Sequence, residues 1–353
     1  MKSPRLVDAD AHFIEPEDMW VRYLDSEFRQ MAPRRAVDGT GRNGLLIGSD
    51  FFLSTPSSYQ DTPASRLVAM DGEGIDSMVL YPTVGLFFAG IEQFDLYAAL
   101  CRAFNNWARD YCSASPHRLF APAMVPQSDV FESIKEARRG VVELGLKGVF
   151  LRPNPINGRT FDHPAWEPLW CLLEELDTPL VLHEGTSAGR TLMQAGRDRY
   201  DNHLFRHAVS HPCEHMMAML SLICGGVLER HPRMRVVHVE AGCGWVPYWI
   251  ERMDHHVTTK GATINAGGRA KLTLLPSEYF KRQCLVSADP EENLLAEVVS
   301  AVGSDENIAF STDYPHSDHE FQGMFAKCAG RPELTEQNKA RILGENAVRV
   351  FRL

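Results

Sequence analysis

Two side chains that could bind a metal ion, Asp10 and His12, stand two residues apart at the end of the apolar segment V-D-A-D-A-H. Because side chains alternate between the two faces of a β-strand, an Asp-x-His pair points both groups to the same side. A carboxylate and an imidazole that converge in this way make half of a metal site. An Asp that caps the next turn beside a surface His is an equally good interpretation of this pair alone.

Later apolar segments also end in groups that could take part in chemistry. These groups are Tyr81, Arg152, His183, Glu184, His238, Glu240, Asp289, Asp313, Tyr314 and His316. An oxygen-and-nitrogen donor set without thiolates suits Zn²⁺, Mn²⁺ or Fe²⁺, and a site of this kind leaves a position open for water or substrate. The four expected ligands are Asp10, His12, His183 and Asp313.

The elements that must position these groups follow a regular order. Eight short apolar segments alternate with eight helical patterns along the chain. This order is typical of an α/β protein with a parallel sheet, and eight units indicate a closed (β/α)8 TIM barrel. A doubly wound open sheet is the alternative, but no G-x-G-x-x-G motif or P-loop follows any of the segments. In a barrel the C-terminal ends of the strands form the site, so the candidate groups would meet there.

The section after the first strand, residues 13–63, departs from this order. It contains several prolines and glycines and reads as a long irregular stretch. Such an excursion in a compact fold is usually a functional lid or binding loop, and a plain surface excursion is the alternative. We therefore expect one domain, residues 1–353, with a lid-like insertion that governs the choice of substrate.

The composition argues against several other classes of protein. The chain has 353 residues and a net charge of −10, and this acidic balance disfavours nucleic acid or an anionic membrane as the main partner. No run of about 18 apolar residues and no apolar signal core occur, so no membrane span or secretion signal is predicted. Eight cysteines without framework spacing are typical of reduced thiols and predict a cytoplasmic protein.

Four segments of the chain resemble the amidohydrolase superfamily. They are D-x-H on strand one, P-L-V-L-H-E-G on strand five, E-A-G-C-G-W-V-P-Y after strand six and F-S-T-D-Y-P-H on strand eight. More narrowly, they are similar to the amidohydrolase-related branch, which includes aminocarboxymuconate semialdehyde, γ-resorcylate and 5-carboxyvanillate decarboxylases. The resemblance spans nearly the whole chain. It implies a (β/α)8 barrel, a homodimer or higher homo-oligomer, and one divalent metal ion per chain.

By position, the resemblance implies that this ion is bound by Asp10, His12, His183 and Asp313. Zn²⁺ is the expected metal, with Mn²⁺ and Fe²⁺ as alternatives. Many of these relatives begin with H-x-H or E-x-H, whereas this chain has D-x-H. An Asp keeps an oxygen ligand at this position but has a shorter side chain.

A second departure concerns the segment after strand six. The decarboxylases carry a catalytic His close to the glycines there, and in this chain that place is held by Glu240. His238 lies two residues earlier and is expected to share a strand face with Glu240. We expect Glu240 to be the acid/base group of the pocket, with His238 as the alternative or as a support behind it.

Four more side chains are expected to contact a substrate: Arg152, His211, Tyr81 and His316. Arg152 would hold a substrate carboxylate by a two-pronged hydrogen bond, and an internal ion pair with Glu184 or Asp10 is the equally supported alternative. For Tyr81, packing in the core is the stronger alternative.

Three histidines, His207, His211 and His215, repeat at helical spacing. On an unbroken helix they would lie on one face and could resemble a second metal site. Pro212 is expected to interrupt the pattern and to start a helix of its own. We therefore place only His211 in the pocket and interpret the other two as ordinary helix residues.

Together these observations predict an enzyme that acts on a small molecule. The first expectation is a metal-dependent decarboxylase of a small aromatic or vinylogous carboxylic acid, in which Asp313 or Glu240 moves the proton. The second is a hydrolase of an amide, lactone or related bond that uses metal-bound hydroxide with Asp313 as the base. A non-catalytic binding barrel is a third class, and the set of ligands at the strand ends argues against it.

Overall fold

The structure, a computed structural model, describes residues 5–54, 61–185, 192–264, 271–316 and 321–353. The strands in these ranges are β1 (Val7–His12), β2 (Arg34–Val37), β3 (Asn43–Ile47), β4 (Asp50–Leu53), β5 (Ser77–Tyr81), β6 (Leu119–Phe120), β7 (Ala123–Met124), β8 (Val149–Leu151), β9 (Leu180–His183), β10 (Val236–Val239), β11 (Cys284–Ala288) and β12 (Ile308–Phe310).

The helices in the same ranges are α1 (Glu17–Tyr23), α2 (Pro63–Glu73), α3 (Phe94–Cys112), α4 (Val130–Arg138), α5 (Glu167–Glu175), α6 (His203–Ile223), α7 (Val227–Arg230), α8 (Val246–Ile264), α9 (Pro276–Gln283), α10 (Leu295–Val302), α11 (Met324–Ala329), α12 (Glu336–Ala340) and α13 (Asn346–Phe351). Shorter 3-10 segments lie at Ser26–Met31, Val84–Gly90 and Pro164–Trp166, and π-helical segments at Arg139–Glu143 and Arg341–Glu345. None of the helices in the described ranges combines the length and apolar character needed to cross a membrane.

Two parallel sheets contain the strands that the sequence predicts, so the α/β class is confirmed. One sheet has the order β1-β5-β6, and the other has the order β12-β11-β10-β9-β8-β7. The third predicted strand is divided into β6 and β7, and Pro122, which cannot donate to a ladder, lies between the two parts.

Backbone hydrogen bonds also connect β1 with the segment that follows β12. The N–H of His12 donates to the carbonyl of Tyr314 at 2.7 Å, and the N–H of Asp313 donates to the carbonyl of Asp10 at 2.8 Å. These bonds hold the first and the last parallel strands side by side. The ends of the two strands that carry candidate ligands are therefore neighbours.

The parallel strands are apolar because helices cover them. Every residue of β5, β9, β10 and β11 is buried. A strand that is covered on both faces reads as a continuous hydrophobic run rather than as an alternating one. Each fully buried Val or Leu side chain stabilises such a layer by about 1.5–3 kcal/mol. Polar side chains on these strands, such as His183 and His238, are therefore exceptions that need partners.

The described part of the section between β1 and α2 contains regular structure. It contains α1 and a small antiparallel sheet of order β2-β3-β4, in which Leu45 pairs with Arg35 on one side and with Phe52 on the other. Leu45 and Phe52 are buried together with Met19 and Trp20 of α1. The expected absence of regular structure was wrong, because strands of four or five residues are too short for a clear alternating pattern.

Candidate metal centre

The structure brings the four expected metal ligands together at the ends of β1, β9 and β12. Nε2 of His12 lies 3.8 Å from Oδ1 of Asp10 and 3.1 Å from Oδ1 of Asp313. Nε2 of His183 lies 3.5 Å from the same Asp10 oxygen and 2.9 Å from Nε2 of His12. All four side chains are buried, so their donor atoms face one another away from solvent.

The hydrogen bonds of the two imidazoles determine which nitrogen is available. Nδ1 of His12 lies 3.0 Å from the carbonyl of Pro82, and Nδ1 of His183 lies 2.6 Å from the carbonyl of Glu184. Each Nδ1 must therefore carry the proton that it donates, which leaves both Nε2 atoms as acceptors in the neutral rings. Carbonyl contacts of this kind orient metal-binding histidines in known sites.

This donor set fits a divalent cation. Two acceptor nitrogens 2.9 Å apart need a positive centre between or beside them. Oδ1 of Asp10 is buried without a hydrogen-bond partner among the described residues, and a bound cation would give this atom a partner. Asp10, His12 and His183 form one of the groups whose donor atoms are close enough to share an ion.

Burial is the main influence on the charges of these groups. It raises the pKa of Asp10 to about 6 and, together with the charge of His316, lowers the pKa of His12 to about 4. For His183, the carboxylates of Asp10 and Glu240 outweigh burial and raise the pKa to about 9. Because a ligand imidazole must be neutral, an ion at this site would displace a proton from His183.

Glu240, and not His238, lies beside these ligands. Oε2 of Glu240 is 3.2 Å from Nε2 of His183. In the ladder, Val239 is the partner of His183, whereas His238 is the partner of Leu182. His238 therefore points to the opposite face of β10, where its Nδ1 is 3.0 Å from Nδ1 of His215.

The expectation that His238 and Glu240 share a strand face was therefore wrong. Glu240 lies just beyond the end of β10 and has a φ of 54°, so the alternation of the strand does not extend to it. Its backbone N–H donates to Oγ of Ser287 at 3.1 Å, which holds the turned backbone. As a consequence, His238 is placed behind the strand rather than at the ligand group.

Arg152 is occupied by protein partners. Its Nη2 donates to Oε1 of Glu184 at 2.9 Å and to the carbonyl of Gly185 at 2.6 Å, and its Nη1 donates to the carbonyl of Leu86 at 2.6 Å. Only Nε lacks a partner among the described residues. Arg152 therefore cannot form a bidentate hydrogen bond with a substrate carboxylate, and the structure has the alternative ion pair with Glu184.

His316 and Tyr81 lie next to the ligands. The ring of His316 stacks on that of His12 at 3.9 Å between centroids, and its Nδ1 is 3.0 Å from Oδ1 of Asp313. Its Nε2 is 2.9 Å from Oγ1 of Thr83, so both ring nitrogens have protein partners. The buried ring of Tyr81 lies 5.4 Å from that of His183, and its hydroxyl has no hydrogen-bond partner among the described residues.

Helix α6 brings three histidines to this region. It runs without a break from His203 to Ile223 with Pro212 inside it, so the expected interruption was wrong; a Pro removes one helical hydrogen bond and bends a helix but does not always end it. His211 reaches Glu240, as expected for a pocket residue, and so does His207. His215 is buried against His238. His215 thus packs as an ordinary helix residue can, whereas His207 lies nearer to Glu240 than that interpretation expected.

Asp8 supports the site and was missed in the sequence. It is fully buried on β1, and it accepts hydrogen bonds from the backbone N–H of Thr312 at 3.1 Å and from Oγ1 of Thr312 at 2.5 Å. Burial raises the pKa of Asp8 to about 8. Because Thr312 immediately precedes Asp313, this contact fixes the loop that carries a candidate ligand. A sequence signal was present, since Asp8 stands two residues before Asp10 on the same apolar segment.

Comparison with known proteins agrees with this geometry. The family model described as Amidohydrolase matches residues 7–353, so the chain belongs to the amidohydrolase family. It is 27% identical to 2-amino-3-carboxymuconate-6-semialdehyde decarboxylase from Dictyostelium discoideum, over 86% of this chain and 80% of that protein. It is 25% identical to γ-resorcylate decarboxylase from Rhizobium sp. (strain MTP-10005), over 91% of this chain and 95% of that protein. The resemblance inferred from the four sequence segments is confirmed.

The fold is similar to that of a solved decarboxylase structure. This is 5-carboxyvanillate decarboxylase from Novosphingobium aromaticivorans DSM 12444 in complex with manganese and 4-hydroxy-3-methoxy-5-nitrobenzoic acid. The TM-score is 0.71 at 20% sequence identity, and the match covers 99% of this chain and 96% of that chain. At this level of identity the likeness supports the fold.

Proposed function

We propose that this protein is a metal-dependent decarboxylase of a small aromatic or vinylogous carboxylic acid. The observation that carries the proposal is the convergence of four buried candidate ligands with Glu240 at their side. The relatives from Dictyostelium discoideum and Rhizobium are named as decarboxylases of such acids, and they belong to the same branch that the sequence segments indicate. Membership in the amidohydrolase family supports an enzyme rather than a binding barrel.

We further propose that the two parallel sheets form one closed (β/α)8 barrel in a single domain. The hydrogen bonds between β1 and the segment after β12 support closure on one side. On the other side, β6 and β7 are separated by only two residues, so one extended segment links both sheets. Residues 13–63 would then be an insertion over the ligand-bearing end, with a lid role that remains a prediction.

When bound, a divalent ion held by Asp10, His12, His183 and Asp313 would polarise a substrate oxygen beside the carboxylate and stabilise the negative charge that develops there. The protein must then provide one proton, because decarboxylation replaces CO2 by a proton on the substrate carbon. Carboxyl and imidazole groups near the ligands are the available carriers. Asp313 and Glu240 are two carboxyl groups in this position.

Asp313 has a neighbour that can supply it with a proton. The Asp313 carboxylate outweighs burial and raises the pKa of His316 to about 9, so His316 is protonated at neutral pH. Burial would raise the pKa of Asp313, but the charge of His316 reverses this and lowers it to about 2. His316 and Asp313 therefore form an ion pair across 3.0 Å, which keeps a proton on Nδ1 of His316 beside the proposed carrier Asp313. Glu240 is the alternative carrier.

Mass spectrometry tests this proposal directly. The metal-loaded protein would be incubated with hydroxybenzoates, muconate-type acids, lactones and amides, alongside the variant Asp313→Asn. Loss of CO2 from a carboxylic acid, slowed by about 10²–10⁴-fold in the variant, is the expected result for an acid/base group. The control is Asp18→Asn, an exposed carboxylate on α1 that should not change the rate. Cleavage with gain of water would instead support the hydrolase alternative.

Several finer points are proposals from the sequence. We propose Zn²⁺ as the resident ion, with Mn²⁺ and Fe²⁺ as alternatives. The Mn²⁺ bound in a solved structure of similar fold supports a divalent ion and is the reason to keep Mn²⁺ among the alternatives. We propose a homodimer or higher homo-oligomer in the cytoplasm, with a small molecule as its substrate. Tyr81, His211 and His316 are proposed substrate contacts; Tyr81 lies beside His183, His316 beside His12 and His211 beside Glu240.

A further inference from the structure

A second group of potential ligands lies outside the four-ligand site. His207 and His211 are one helical turn apart on α6, and their Nε2 atoms lie 3.6 Å and 3.5 Å from Oε1 of Glu240. Their donor atoms are close enough to hold one ion. The other oxygen of Glu240, Oε2, faces His183, so the carboxylate lies between the two groups.

The orientation of His211 shows that this group lacks a positive charge between its acceptor atoms. Its Nδ1 lies 3.1 Å from the carbonyl of His207 and therefore carries the donated proton. In the neutral ring, Nε2 is then an acceptor that faces Oε1 of Glu240, which is also an acceptor. Two acceptors at 3.5 Å require a positive centre, and either a proton or a metal ion can provide it.

The position of His207 favours the metal ion over protons. Its ring stacks on that of His211 with 4.0 Å between centroids and 26° between planes. Two imidazolium ions stacked at this distance would repel each other. One divalent ion would instead bind Nε2 of both histidines and Oε1 of Glu240 without placing like charges side by side.

The spacing is also that of known metal ligands. Two histidines at i and i+4 on one helix face form a pair that binds Zn²⁺ when a carboxylate completes the set. Three protein ligands of this kind leave one position open. His207 is partly exposed, with 33% of its side chain accessible, so an ion can reach the site from solvent.

We propose that His207, His211 and Glu240 bind a second divalent metal ion, with Glu240 bridging the two centres through its two oxygens. This inference does not depend on which reaction the first centre supports.

The test is the metal content of the purified holoprotein after dialysis against Zn²⁺ or Mn²⁺. Two equivalents per chain are expected for the natural protein, falling to one in His207→Ala and in His211→Ala. His256→Ala is the matched control, because His256 also lies on a helix with its Nδ1 2.9 Å from the carbonyl four residues earlier, but it is exposed. It should keep two equivalents.

Electron paramagnetic resonance of the Mn²⁺-loaded protein provides an independent readout. Ions bridged by one carboxylate should give a spin-coupled spectrum that is replaced by that of isolated Mn²⁺ in His207→Ala. One equivalent in the natural protein, or a second equivalent lost in His256→Ala but retained in His207→Ala, would overturn the proposal. Circular dichroism of each variant confirms that a lost equivalent is not a lost fold.

Discussion

Glu240 and Asp313, the two carboxylates proposed to face the substrate, share an uncommon backbone conformation. Their φ angles are 54° and 56°, in the left-handed region that residues other than glycine rarely occupy. Each follows the end of a strand, β10 or β12. Such a conformation costs about 1–3 kcal/mol and persists only where surrounding contacts hold it. The hydrogen bonds from Glu240 to Ser287 and from Asp313 to the carbonyl of Asp10 are contacts of this kind.

The buried pair of Arg152 and Glu184 leads to a prediction about stability. Arg152→Ala should lower the free energy of unfolding by about 3–5 kcal/mol, because it leaves a buried carboxylate without its charged partner. Urea denaturation measures the change. The matched control is Arg138→Ala, which breaks an exposed pair with Glu175 at 3.0 Å and should have little effect. Equal losses in the two variants would contradict a structural role for Arg152.

At the scale of elements, helix α6 is part of the site as much as the strands are. Because it stays helical through Pro212, it presents His207 and His211 to Glu240 in the loop after β10, and His215 to the back of β10. The carbonyl of His207 also orients the ring of His211. An element that the sequence suggested was broken thus positions three of the imidazoles near the proposed centres.

The π-helical segment Arg341–Glu345 packs closely on the start of β1, and this contact can be tested. A Cβ at Gly344 would collide with the carbonyl oxygen of Arg5, so Gly344→Ala should destabilise the protein by about 1–3 kcal/mol. Gly72→Ala is the control, since nothing lies within 4 Å of its Cβ in α2, and it should stabilise by about 0.5–1 kcal/mol. Thermal unfolding of both variants checks the opposite signs. Two shifts of the same sign would argue against this contact.

At the scale of the whole molecule, the candidate ligands connect parts of the chain that are far apart in sequence. Asp10 and His12 lie on β1, His183 ends β9, and Asp313 follows β12. An ion shared by these groups would bind the folded state and not the unfolded chain. Without it, the buried carboxylate of Asp10 remains close to those of Asp313 and Glu240, whose negative charges disfavour its ionised form.

Removal of metal should therefore destabilise the fold. An ion present at about 100 times its dissociation constant stabilises the folded state by about 2.7 kcal/mol, so a chelator should lower the melting temperature and Zn²⁺ or Mn²⁺ should restore it. Scanning calorimetry measures both steps. In His183→Ala the difference between chelator and metal should be much smaller. A melting temperature that does not respond to chelator in the natural protein would count against a metal at this site.

The sequence alone determined the order of the parallel strands and the identity of the four clustered candidate ligands. Apolar runs that alternate with helical patterns predict parallel strands, and the alternation of side chains on β1 brings Asp10 and His12 to one face. Parallel strands also end at a common edge, so His183 and Asp313 could be grouped with them before any distance was known. These inferences succeed because they need only local periodicity and the direction of the strands.

The tertiary structure decided what depends on backbone turns and on contacts between distant residues. The left-handed φ of Glu240 separates it from His238, and no alternation rule describes a residue beyond the end of its strand. The pairing of Arg152 with Glu184 and the approach of His207 to Glu240 depend on where strands and α6 lie in space. Local patterns state which face a side chain occupies, whereas only the packed molecule states which group it meets there.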